Sequence, residues 1–152
     1  MRLVELIHDI EDGRRPMAFE TFAELPAADE ALLAKWTRLR EIRDLANKEI
    51  ETVRTEGRVG SSLQALLTIT APASDAALLR SLGDDLRFVT ITSGATVVEG
   101  DALAVQVSPA TAAKCERCWH YRDDVGHDPA HPTICGRCTD NLFGAGEVRS
   151  VA

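Results

Sequence analysis

The chain's only thiols are four cysteines in two Cys-x-x-Cys pairs, Cys115/Cys118 and Cys135/Cys138, with sixteen residues between the pairs. Each pair can aim two sulfurs at one ion, and the intervening loop can close the pairs into a tetrahedron. The spacing therefore predicts one Zn2+ held by four thiolates. With every position filled by sulfur, no place remains for water or substrate, so the zinc is expected to be structural and not catalytic. Iron could occupy the same thiolates, although zinc is the usual occupant at this spacing. Two disulfides would need an oxidising compartment, to which nothing in the sequence directs the chain. His120, His127 and His131 lie nearby, but four cysteines already complete the coordination. Gly136, inside the second pair, is expected to serve a tight turn at positive φ.

The rest of the chain must hold this segment in place. Its 152 residues suggest one ordinary domain or two small ones. Three parts are expected: residues 1–27, a short helix and connector; 28–112, a long helix with a small α/β layer; and 113–152, the four-cysteine zinc module. The formal charge of −7 argues against non-specific nucleic-acid binding, which depends on neutralising phosphates. Any nucleic-acid contact should be local, and DNA is not expected as a partner. The opening MRLVELIHDI is interrupted by Glu5, His8 and Asp9, unlike a secretory signal. No run approaches the roughly 20 apolar residues of a membrane span. A cytoplasmic location without membrane contact is the expectation.

Periodicity predicts the elements. Residues 2–11 have helical spacing, and 17–25 read as a connector anchored by Phe19 and Phe22. From about Ala28 to Glu56, Leu32, Trp36, Leu39, Ile42, Ala46, Ile50 and Val53 recur at gaps of three and four, predicting one long amphipathic helix. Its other face mixes Lys35, Arg38, Arg43, Lys48 and Arg54 with Glu41, Asp44, Glu49 and Glu51, which reads as a solvated surface. Strands are predicted at Leu63–Thr70, Arg87–Thr92 and Ala102–Val107, with Ala95–Val98 extending the sheet. A helix capped by Ser74 is predicted over Asp75–Leu82. The fold class is thus α+β: a long helix packed on a small β-α-β-β layer that is too small to stand alone, followed by the zinc knuckles.

These motifs carry a resemblance. Lys114-Cys115-Glu116-Arg117-Cys118-Trp119 and Ile134-Cys135-Gly136-Arg137-Cys138 closely resemble the two motifs that close the chain of bacterial isoleucyl-tRNA synthetases. Upstream, Asn47-Lys48-Glu49-Ile50-Glu51, Val59-Gly60-Ser61-Ser62-Leu63, Leu86-Arg87-Phe88-Val89 and Thr92-Ser93-Gly94-Ala95 are similar to that family, in its order. The resemblance runs from about Met17 to the end and leaves residues 1–16 unmatched.

It implies the anticodon-side end of a synthetase, a small α/β layer, and a zinc module that helps hold tRNA(Ile). The remainder of the synthetase could be a separate chain. By that resemblance the tRNA-facing residues are Lys114, Arg117, Trp119, His120, Tyr121 and Arg137. Their chemistry suits such a role. Trp119 and Tyr121 offer flat faces for unstacked bases, and arginine pairs with phosphate or stacks on bases. Trp119 could equally cover the metal. The His-Ile-Gly-His-like and Lys-Met-Ser-Lys-Ser-like motifs of class I synthetases do not occur, and no other constellation for catalysis is legible. The chain alone is therefore expected to be inactive as a ligase. A free-standing tRNA-binding module acting in trans, and a zinc-stabilised interaction domain without RNA, are the alternatives. Formamidopyrimidine-DNA glycosylases end in a similar finger, but they need a Pro-Glu pair after the initiator Met, where this chain has Arg2-Leu3.

Overall fold

The computed structural model describes residues 27–147. The helix expected over 2–11, the connector over 17–25 and residues 148–152 lie outside that range.

Helix α1 spans Glu30–Thr55 and buries Leu39, Ile42, Ala46, Ile50 and Val53, the predicted stripe. Its first two members differ: Leu32 is half exposed and Trp36 is only partly buried. The helix ends because Gly57 adopts φ +74. There the Arg58 N–H donates to the Val53 carbonyl and the Gly57 N–H to that of Arg54. This double closure satisfies carbonyls that the last turn would leave unpaired.

Three strands follow: β1, Ala65–Ala71; β2, Gly94–Glu99; and β3, Ala104–Pro109. The order is β2-β1-β3, so the first strand in sequence lies in the middle. β1 pairs parallel with β2, from Leu66↔Gly94 to Ala71↔Glu99, and antiparallel with β3, from Ala65↔Pro109 to Thr70↔Ala104. A parallel neighbour requires a crossover. It is supplied by α2, Ala73–Arg80, and α3, Leu86–Thr90. Along β1 every second residue, Ala65, Leu67, Ile69 and Ala71, is buried. They meet the stripe of α1 together with Ala76, Leu79, Leu82 and Leu86, forming one apolar core. The α+β reading and its β-α-β-β order stand.

Two local expectations are corrected. The stretch Arg87–Thr92, rich in β-branched residues, lies mostly in α3 and not in a strand. Tertiary context overrides propensity here: Leu86 turns into the core, and the Thr90 hydroxyl donates back to the Leu86 carbonyl at 3.0 Å. Ile91 closes the helix at φ 55, a left-handed conformation that is costly for a β-branched residue. The edge beside β1 is taken instead from Gly94 onward. Ser74 does not cap α2 either. That helix starts after Pro72, whose carbonyl accepts the Ala76 N–H at 2.8 Å with no side-chain cap.

One ion pair ties α1 to α2. Arg38 donates from Nε and Nη2 to the two carboxylate oxygens of Asp75, at 3.0 and 2.6 Å. These hydrogen bonds hold the Asp75 carboxyl below its usual pKa. A depressed carboxylate pKa adds stability that is present above the unfolded value, about 3.9, and is lost as pH falls through the folded one. Arg38 is partly exposed, so the pair is screened. Asp75→Asn should cost about 0.5–1 kcal/mol at neutral pH in urea unfolding. The gap from wild type should close below about pH 3.9. A gap that stays constant down to pH 2 would show that the charge is not the source.

Candidate metal centre and the residues around it

The zinc segment is built from short pieces with little apolar packing of their own. A two-stranded ribbon of β4, Ala113–Lys114, and β5, Tyr121–Arg122, carries the first knuckle at its tip. The Cys115 N–H donates to the His120 carbonyl and the Trp119 N–H to the Cys115 carbonyl, both at 2.9 Å. The turn closes only because Trp119 sits at φ 65. The second knuckle leads into α4, Gly136–Phe143, with Cys135 at its N-cap and Cys138 in its first turn.

The Gly136 expectation is corrected. This residue is helical, and its role is close approach: its N–H donates to Asp124 Oδ2 at 3.2 Å, and a Cβ there would lie 3.0 Å from the same oxygen. Positive φ falls instead at Trp119 and at Gly126, where an added Cβ would meet the Pro132 carbonyl at 2.9 Å.

The four cysteine sulfurs lie within 4.8 Å of one another, with Cys115, Cys135 and Cys138 fully buried. Cys115 and Cys138 are 3.7 Å apart, and Cys118 and Cys135 are 3.8 Å apart. A disulfide would bring two sulfurs to about 2.05 Å. A tetrahedron with Zn–S bonds of about 2.3 Å places its sulfurs about 3.8 Å apart. The cluster fits the ion and not the disulfide. No histidine joins it among the described residues.

Electrostatics point the same way. Burial pushes up the thiols of Cys118 and Cys135. At Cys115 burial acts in the same direction but is outweighed by the N–H groups of Cys118, Cys135 and Arg117, which hold it down to about 6. So uneven a cluster does not ionise throughout at neutral pH by itself, whereas a dication favours the thiolates. The Cys135 N–H and Arg117 Nη1 donate to Cys115 Sγ at 3.4 Å and Cys138 Sγ at 3.5 Å. These are the donors that orient and stabilise ligating sulfur.

The six residues singled out for RNA divide into two groups. Lys114, Arg117 and Trp119 are exposed or nearly so. The Trp119 indole is 58 % exposed, and its Nε1–H donates to the Glu116 carbonyl at 3.1 Å. The Lys114 ammonium lies 5.1 Å from its ring centre. His120, Tyr121 and Arg137 turn toward the α/β layer. The Tyr121 N–H donates to Ser93 Oγ at 2.6 Å, and Ser93 Oγ donates in turn to the Leu63 carbonyl. His120 Nδ1 lies 3.1 Å from the Cys118 carbonyl, and its ring meets Phe88 edge-on at 5.4 Å. Burial, the largest influence on His120, lowers its pKa. Arg137 holds Glu147 through Nε and Nη2 at 2.7 and 2.6 Å, while its guanidinium lies 4.8 Å from the Phe88 ring centre.

Sequence reasoning missed Arg87, Phe88 and Arg122 as neighbours of the knuckles. Arg87 is only 6 % exposed. Burial, followed by the charge of Arg122, lowers its pKa. No local signal marks Arg87 or Phe88, because only the placement of α3 brings them to the zinc segment, where Arg122 already lies on β5.

Comparison with known proteins matches residues 113–141 to a zinc finger family found in FPG and IleRS. The chain is 59 % identical over 140 residues to the isoleucine–tRNA ligase of Cupriavidus necator, covering 87 % of this chain and 14 % of that protein. It is 53 % identical over 150 residues to the one from Bordetella petrii, covering 97 % of this chain and 16 % of the relative. The ligase of Thiobacillus denitrificans is 59 % identical over 121 residues, covering 80 % of this chain and 13 % of its own length. The chain thus spans roughly one-seventh of the relatives it matches, and over most of its length it is similar to that part of isoleucine–tRNA ligases. The finger and the converging sulfurs together support one structural zinc ion.

Proposed function

We propose that this chain is the C-terminal, zinc-bearing part of an isoleucine–tRNA ligase, serving tRNA(Ile) recognition without holding the site of ATP and amino-acid chemistry. Cys115, Cys118, Cys135 and Cys138 are the ligands. Residues 28–112 form the supporting helix and α/β layer, and 113–152 the module that meets tRNA. The setting is the cytoplasm. No helix among the described residues is long and apolar enough to cross a membrane.

The observation that carries the reading is the state of Trp119. A tryptophan that shields a metal is buried against it; this one is 58 % exposed at a knuckle tip. Its ring is fixed by its own N–H, and a lysine ammonium lies beside it. A rigid aromatic face next to a cation suits an unstacked base and its phosphate. The whole chain's net charge of −7 makes it a weak binder alone and an effective one when tethered to a larger synthetase.

Zinc-loaded protein titrated into isoleucine tRNA and a non-cognate tRNA at about 0.15 M salt tests this. Trp119→Ala should lose about 1–3 kcal/mol of whatever affinity the wild type shows. Unchanged affinity in that variant would remove Trp119 from the interface. Tight, isoleucine-selective binding by the isolated chain would favour the in trans alternative.

A further inference from the structure

We propose that Glu147 is a positioning residue for the tRNA-binding module: it pins Arg137 against Phe88, and that clasp sets the direction in which the knuckles present Trp119. The proposal deepens the tRNA-binding reading and rests on it for the consequence, though not for the geometry.

The zinc module and the α/β layer share no core. The cysteine cluster with Val125 and Ile134, and the apolar cluster of α1, β1 and α2, have no member in common. The two are joined through polar and ring contacts instead. The Tyr121 N–H reaches Ser93 Oγ. Phe88 of α3 meets the His120 ring edge-on at 5.4 Å and the Arg137 guanidinium at 4.8 Å. A joint without a large apolar interface leaves relative motion as the default. Trp119 belongs to a knuckle closed by its own backbone hydrogen bonds, so any rotation of the module carries the indole with it.

Attraction of a guanidinium to a ring is broad, and the long arginine side chain has many rotamers to lose. Glu147 removes that freedom. Its two carboxylate oxygens accept from Arg137 Nε and Nη2, a fork that fixes the guanidinium plane while the group stays beside the ring. The two side chains are only 24 % and 29 % exposed, so solvent screens them less than an open surface pair. Glu147 is itself placed. Beyond α4 the chain reverses through Gly146 at φ +81. The Gly146 N–H donates to the Asp140 carbonyl at 3.2 Å, and the Glu147 N–H to Asn141 Oδ1 at 2.8 Å. A carboxylate from beyond the helix thereby returns to its first turn. Among the described residues the side chain that donates nitrogen to a ligating sulfur is Arg117, so loss of the clasp leaves the zinc in place.

The test compares the full, zinc-loaded chain with Glu147→Ala and with Phe88→Leu, which changes no charge. Residual dipolar couplings of backbone amides report the direction of 113–143 against 65–109. One alignment should fit both sets in the wild type. In either variant the module's couplings should shrink about twofold against those of the layer, with zinc retention against a chelator unchanged. Isoleucine tRNA should bind each variant about fivefold more weakly, the effect of a productive direction reduced to about one-fifth of the population. The salt slope should stay the same, because no phosphate contact is lost. Glu147→Gln, which keeps an acceptor, should fall between wild type and Glu147→Ala. Couplings that keep the wild-type alignment in both variants overturn the proposal. Unchanged tRNA affinity despite shrunken couplings overturns the positioning role. A steeper salt slope in Glu147→Ala also overturns it, since Arg137 would then be a phosphate ligand that Glu147 holds off. If the couplings shrink as expected but the wild type binds no isoleucine tRNA, the clasp stands and the tRNA-binding reading fails.

Discussion

Chelating the metal, or replacing Cys135 by Ser, will unfold residues 113–143 while the α/β layer keeps its structure. The segment has almost no apolar interior without the ion, since only Val125 and Ile134 pack partly buried around the four cysteines. Structural zinc supplies an apparent ~10–16 kcal/mol in finger peptides at neutral pH, far more than two half-buried side chains can. The core of α1, β1 and α2 is a separate cluster with no cysteine in it. Backbone amide spectra before and after chelation check this directly: signals from 113–143 should collapse to narrow, coil-like positions, and those of 65–109 should stay dispersed. Ligation requires thiolates, so acid should release the metal by proton competition and give the same partial collapse. Persisting dispersion throughout the finger after complete zinc loss would refute the assignment of the ion as its organiser.

Ile69→Ala should be the most damaging single change outside the metal ligands. Ile69 is fully buried in the middle of the central strand. It pairs with Val97 on one side and Val105 on the other. Truncation there leaves a cavity in the apolar core that β1 shares with α1. The expected loss is about 3–5 kcal/mol by denaturant unfolding, a large share of the ~5–15 kcal/mol that holds a typical domain together. Leu66→Ala, on the exposed face of the same strand, should cost under about 1 kcal/mol. Equal losses at the two positions would contradict the assigned faces.

These particular residues show what a sequence can and cannot reveal. The stripe Leu39, Ile42, Ala46, Ile50 is legible because helical period and burial coincide along one straight element. The cysteine pairs are legible because a metal site specifies its own spacing. Arg87–Thr92 is not, since its β-branched composition describes a propensity that the crossover from β1 to β2 overrules. The convergence of Arg87, Arg122 and Arg137 is not legible either. Arg122 and Arg137 share the zinc segment, but Arg87 lies up to fifty positions away, and nothing local to it encodes the others. The left-handed Trp119 falls between the two cases: the knuckle follows from the cysteine spacing, but the backbone turn that lifts its indole outward carries no glycine to announce it.

The middle position of β1 also bears on how the chain folds. Its neighbours on both sides come later in sequence, so ALLTITA must wait, unpaired along both edges, until residues 94–109 arrive. The segment has no charge and no proline, the composition of a self-associating strand. Partly folded chains therefore expose a sticky ribbon that the native sheet conceals. A variant whose sheet forms slowly would be lost to precipitation before its thermodynamic stability became limiting.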